Sequence, residues 1–190
     1  DGIDDVIVGS RFANANKGGI YGFASGATLS GDLSAADADL IITGVGLNSR
    51  TGETIEFASD VDGDGLDDFL ICGYRNDDPV TDVGRVYLIL GSSLTEPGVR
   101  STAQADISFI GEAENNRLGH AVGSAGDMDG DGIPELLMGA YGHAAMGLNS
   151  GKTYIVPGSS LVMGEDVEVG ESQYMYLGES EEDASGHALR

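Results

Sequence analysis

Asp127-Met128-Asp129-Gly130-Asp131-Gly132-Ile133-Pro134-Glu135 is the stretch that sets the register of this chain. The same pattern recurs as Asp60-Val61-Asp62-Gly63-Asp64-Gly65-Leu66-Asp67-Asp68, and the chain opens on its last five positions, Asp1-Gly2-Ile3-Asp4-Asp5. Carboxylates at positions 1, 3 and 5 converge on one point only if the backbone curls around it, and glycine at position 6 permits that turn. Three hard oxygen ligands at this spacing suit a calcium ion, with the carbonyl of position 7 and the carboxylate of position 9 completing the shell. The expected ligands are Asp60, Asp62, Asp64, the Leu66 carbonyl and Asp68 in one loop. In the other they are Asp127, Asp129, Asp131, the Ile133 carbonyl and Glu135. The opening copy retains Asp1, the Ile3 carbonyl and Asp5, and would need further ligands from elsewhere.

An EF-hand begins in the same way but requires a bidentate Glu at position 12 and a helix on each side. Position 12 is Ile71 in one copy and Met138 in the other, which excludes that motif. Each loop is followed instead by a short apolar run ending in or near glycine: Val6 to Gly9, Phe69 to Gly73, and Leu136 to Gly139. Such runs predict buried strands. A plain solvated turn needs one or two Asp or Gly residues. Three or four carboxylates at fixed positions, which repel unless neutralised, point to a cation.

The 190 residues suffice for a sizeable core, and 41% hydrophobic with 22% charged residues is a globular composition. Thirty-one glycines and no tryptophan predict many tight turns between short strands. The formal charge of -23 disfavours nucleic acid as a partner, and no apolar run approaches the length of about 20 residues that spans a bilayer. Cys72 stands alone in an apolar run, so no internal disulfide is possible and a small core residue is expected there.

Aligned on the loops, the copies repeat further. A second strand is predicted at Gly19 to Phe23, Gly84 to Gly91 and Gly151 to Gly158, and a polar linker follows in each copy. A third strand is predicted at Ala38 to Gly44, Asp106 to Gly111 and Gln173 to Gly178. A fourth is predicted at Gly52 to Ser59, Gly119 to Gly126 and, truncated, Gly186 to Arg190. The step from Asp60 to Asp127 is 67 residues, as is that from Gly119 to Gly186. Four short strands per unit without helical periodicity predict an all-β fold of propeller blades, each a sheet of four antiparallel strands. The units are 1–59, starting inside its loop, 60–126, and 127–190, ending before the next loop.

These units resemble FG-GAP repeats, the calcium-binding blades of the integrin alpha-subunit propeller and of bacterial surface proteins. The loops, the strand after each and the period carry the resemblance, which covers essentially the whole chain. The name-giving dipeptides are altered: Leu118-Gly119 and Ser185-Gly186 stand for Phe-Gly, while Gly139-Ala140-Tyr141 and Gly73-Tyr74-Arg75 stand for Gly-Ala-Pro. The resemblance implies a secreted or cell-surface module that binds a protein or cell-surface ligand through variable loops, as in adhesion, with calcium in a structural role. A closed propeller takes about four to eight blades. Three repeats are therefore expected to belong to a longer array or to self-associate into a ring or fibre.

His120 and His187, and likewise Tyr21, Tyr87 and Tyr154, occupy equivalent repeat positions. A catalytic residue is expected once per site and not once per blade, so packing and hydrogen bonding are their expected roles. There is no phosphate loop, no G-x-S-x-G elbow and no H-E-x-x-H. The reading is of a chain without its own catalysis. The alternatives are a structural repeat that assembles through its ends, or the non-catalytic part of a secreted hydrolase or lyase.

Overall fold

A computed structural model describes residues 5–24, 31–94, 96–172 and 174–189. The described chain is almost entirely β. The apolar run after the first loop forms β1 (Val6–Gly9), followed by β2 (Gly19–Phe23) and β3 (Leu40–Thr43). Then come β4 (Ile55–Ser59), β5 (Asp68–Gly73), β6 (Arg85–Ile89), β7 (Gly98–Ser101) and β8 (Ile107–Ile110). The chain continues with β9 (Leu118–Gly126), β10 (Glu135–Ala140), β11 (Lys152–Val156), β12 (Asp166–Glu168) and β13 (Tyr174–Leu177).

Three sheets result, in the orders β1-β2-β3-β7, β12-β8-β6-β5-β4 and β13-β11-β10-β9. Within each, strands close in sequence pair antiparallel, and the acidic loops are the β4–β5 and β9–β10 hairpin connections. A sheet therefore straddles its loop, with the strand that precedes the loop at one edge. These are propeller blades, and the described residues show no closed ring.

The middle sheet is covered on both faces, which explains why Phe69-Leu70-Ile71-Cys72 is a continuous apolar run instead of an alternating one. Leu70, Cys72, Val86, Leu88 and Phe109 turn one way and pack with Leu136, Met138, Tyr154 and Val156 of the third sheet. Ile71, Tyr87 and Ile89 turn the other way, onto Ile20 and Ile42 of the first sheet. Period-2 alternation thus divides one strand between two interfaces. Each fully buried Leu or Ile contributes roughly 1.5–3 kcal/mol. Cys72 is buried in this packing, and burial pushes its thiol well above the usual range.

The polar linkers differ from expectation. β7 and β12 lie in them, and each adds in parallel to the outer edge of the preceding sheet, β7 on β3 and β12 on β8. Their sequences, Gly-Val-Arg-Ser and Asp-Val-Glu, carry no run of apolar residues because an added edge strand is held by backbone hydrogen bonds.

Candidate metal centres

Both complete loops curl as their spacing demands. Gly63 and Gly65 in one, and Gly130 and Gly132 in the other, have φ between 78° and 91°, a conformation that costs an L side chain about 1–2 kcal/mol. The glycines at the fourth position, Gly63 and Gly130, are as necessary to the curl as those at the sixth. That signal was present in the motif itself.

Asp60 anchors its loop by accepting from the amides of Gly63 (2.7 Å), Asp64 (3.0 Å) and Gly65 (2.9 Å). Asp127 does the same for Gly130 (2.7 Å) and Gly132 (3.0 Å). Asp60, Asp62 and Asp68 each bring an oxygen within 4.8 Å of the others, as do Asp127, Asp129 and Glu135. Either group could hold a metal ion. Asp64 and Asp131 stand outside these triads, with one oxygen each accepting the amide of Leu66 or Ile133 at 2.8 Å. Leu66 and Ile133, expected to offer carbonyls, lie in the turn that leads into the next strand. Asp5 is exposed just before β1 and joins neither triad, while Asp1 and Ile3 lie outside the described residues.

The ninth-position carboxylates are the buried members. Asp68 is 0% exposed and Glu135 2%. Asp68 accepts from the amides of Val61 (2.8 Å) and Gly91 (2.9 Å). Burial raises its carboxyl above the ordinary value; these two bonds oppose the rise, and Asp62 and Asp60 add to it. Glu135 accepts from the Met128 amide through Oε2, but its Oε1 is shut off from solvent with no hydrogen-bond partner among the described residues. A buried carboxylate oxygen without a donor is unfavourable unless a cation meets it. The donor set is all oxygen, carboxylate-rich and held by a glycine turn, which fits calcium better than a softer metal.

The FG-GAP repeat family model matches residues 119–156, which span the inner strand β9, the second acidic loop, β10 and β11. This stretch is an FG-GAP repeat, and the chain is FG-GAP and integrin alpha-like. Integrin alpha pat-2 of Caenorhabditis elegans is 31% identical to the FG-GAP chain over 173 residues, 84% of this chain and 13% of that protein. Integrin alpha-PS2 of Drosophila melanogaster is 35% identical over 125 residues, 63% of this chain and 8% of that protein. Integrin alpha-5 of Xenopus laevis is 34% identical over 88 residues, 44% of this chain and 8% of that protein. The FG-GAP chain thus spans a small part of the relatives it matches. None of its described helices is long and apolar enough to cross a membrane.

Of the repeated tyrosines, Tyr87 and Tyr154 are packed inside with their hydroxyls on polar side chains, whereas Tyr21 is half-buried. Tyr87 Oη accepts from Asn76 Nδ2 at 3.3 Å, and Tyr154 Oη donates to Glu112 Oε1 at 2.7 Å. Glu112 also binds Lys152 and lies 3.6 Å from His143 Nε2. Burial works to raise the Glu112 carboxyl, but the hydrogen bonds from Lys152 and Tyr154 outweigh it and hold it below the ordinary value. This cluster joins the second and third sheets. Glu112 lies 40 and 42 residues before Lys152 and Tyr154, so no local spacing announces the cluster.

Proposed function

We propose that this FG-GAP chain is a calcium-binding propeller module of an extracellular adhesion-type protein. It acts by binding a protein or cell-surface ligand and has no catalysis of its own. One observation carries the calcium reading: each hairpin loop places a buried carboxylate beside two others, and in one loop that carboxylate has an oxygen with no donor. The ligands proposed are Asp60, Asp62, Asp64, the Leu66 carbonyl and Asp68, with Asp127, Asp129, Asp131, the Ile133 carbonyl and Glu135. Asp1, the Ile3 carbonyl and Asp5 form an incomplete third set. When bound, calcium neutralises the clustered charge and fixes the turn between two strands of a blade. The role is structural, and the repeat units are 1–59, 60–126 and 127–190, the second and third sheets each borrowing an edge strand, β4 or β9, from the unit before.

Integrin relatives motivate the adhesion reading, since the shared repeats are their counterpart in this chain. A second reading, self-association, is favoured by β13. The outer edges of β3 and β8 are covered by β7 and β12, whereas Tyr174, Met175, Tyr176 and Leu177 of β13 are all exposed. Metal content and thermal unfolding test the calcium reading. The expected result is about two calcium ions per chain and a Tm drop of roughly 15 °C or more on chelation. Metal-free protein with unchanged unfolding would reduce the loops to ordinary turns. Mass in solution separates a monomer from a ring or fibre.

A further inference from the structure

The ends of the sheets away from the acidic loops gather arginines among carboxylates and aromatic rings. The chain has only nine Lys and Arg residues, and four of them, Arg11, Arg50, Arg75 and Arg117, stand here in one connected series with aromatic rings. The Arg11 and Arg50 guanidinium carbons lie 4.6 and 5.4 Å from the Phe12 ring centroid. Arg50 Nη1 donates to Tyr74 Oη at 3.0 Å, and the Arg75 guanidinium carbon lies 5.7 Å from the same Tyr74 ring. Arg117 Nη1 donates to Tyr141 Oη at 3.0 Å, with its guanidinium carbon 5.4 Å from that ring. His120 sits between the two tyrosines, with ring centroids 5.3 Å from Tyr74 and 4.7 Å from Tyr141, and joins them into one surface across three repeats.

Two of the four cations are already neutralised, Arg11 by Glu53 and Arg117 by Asp82 at 3.4 Å. Arg50 and Arg75 form no ion pair with a carboxylate among the described residues. Cation–π and phenol contacts hold these two guanidinium groups in place before any ligand arrives, which lowers the entropy lost on binding.

We propose that this belt binds an acidic peptide segment of a partner protein, with carboxylates seated on Arg50 and Arg75. A planar guanidinium fork matches a carboxylate through two parallel hydrogen bonds. A protein of net charge -23 repels a dense polyanion at range. A short segment carrying a few carboxylates meets mainly the local field, because screening confines the rest to about 8 Å at physiological salt. The proposal rests on the interaction-module reading above but not on calcium.

The test is fluorescence anisotropy of a labelled short Glu/Gly peptide at physiological salt with calcium present. The controls are the same peptide with Gln for Glu and a sulfated oligosaccharide. Saturable binding of the Glu peptide alone is expected. Arg50→Gln and Arg75→Gln should each weaken it about tenfold or more. Arg75→Lys, which keeps the charge but loses the fork, should fall between, and Lys17→Gln, at an exposed cation outside the belt, should change nothing. No binding by the folded wild-type chain, equal binding of the Gln peptide, tighter binding of the oligosaccharide or an equal loss in Lys17→Gln would each overturn the proposal. Calcium uptake and unfolding on the same samples report separately on the propeller reading, and Arg75→Lys covers the case in which a Gln variant does not fold.

Discussion

The two complete loops share a pattern, a turn and a place in their blades, yet their buried carboxylates are satisfied differently. Asp68 has both oxygens occupied by backbone amides, one of them from Gly91 at the far end of β6. Glu135, one methylene longer, has one oxygen on the Met128 amide and one without a donor. The Asp68 carboxylate is therefore tied to the blade with or without a cation, whereas Glu135 leaves one oxygen for a cation to satisfy. A ligand pattern that looks interchangeable in sequence can differ in how much of its structure the ion supplies.

The largest effect expected from this contrast is at the ninth position. Glu135→Gln should cost about 3–4 kcal/mol in calcium, by loss of a bound ion, and about 1 kcal/mol or less after chelation. Asp68→Asn should cost about 1–3 kcal/mol even after chelation, because an amide cannot accept both N–H groups. Unfolding of both variants in calcium and in chelator checks this. Equal losses for the two under chelation would remove the distinction.

A smaller effect tests the residue that leads into each loop. Ser59 and Gly126 hold equivalent positions with φ of 61° and 69°, and nothing crowds the missing Cβ of Gly126. Gly126→Ala should cost about 1 kcal/mol, and Ser59→Gly should stabilise by several tenths up to about 1 kcal/mol. A Gly126→Ala variant as stable as wild type would show that Ser59 and Gly126 do not make equivalent turns.

The smallest effect separates the loops from the opposite end of the blades. Burial holds the His120 ring below its ordinary pKa, and the proximity of His187 and Arg117 adds to this, against a hydrogen bond to the His187 carbonyl and the charge of Glu53. The unfolded chain then takes up the proton first. Stability should be full above the unfolded histidine value of about 6.5 and decline modestly as pH falls through it toward the lower folded value. His120→Gln should flatten that decline in calcium without altering the contrast between Glu135→Gln and Asp68→Asn. An unchanged acid slope in His120→Gln would assign it to other groups.

The sequence alone determined the loop positions, the strands that flank them and the four-strand unit, because glycine turns and short apolar runs are local signals read at fixed spacing. It placed Asp60, Asp62 and Asp68, and Asp127, Asp129 and Glu135, in candidate sites that the fold brings together. Only the tertiary structure decided which ninth-position carboxylate is fully satisfied, since the Gly91 amide reaches Asp68 across 23 residues of chain. It alone turned two polar linkers into parallel edge strands, which need backbone partners and no apolar pattern. It also gathered arginines and aromatic rings from three repeats onto one surface, a juxtaposition that no local period encodes because it depends on how the sheets pack.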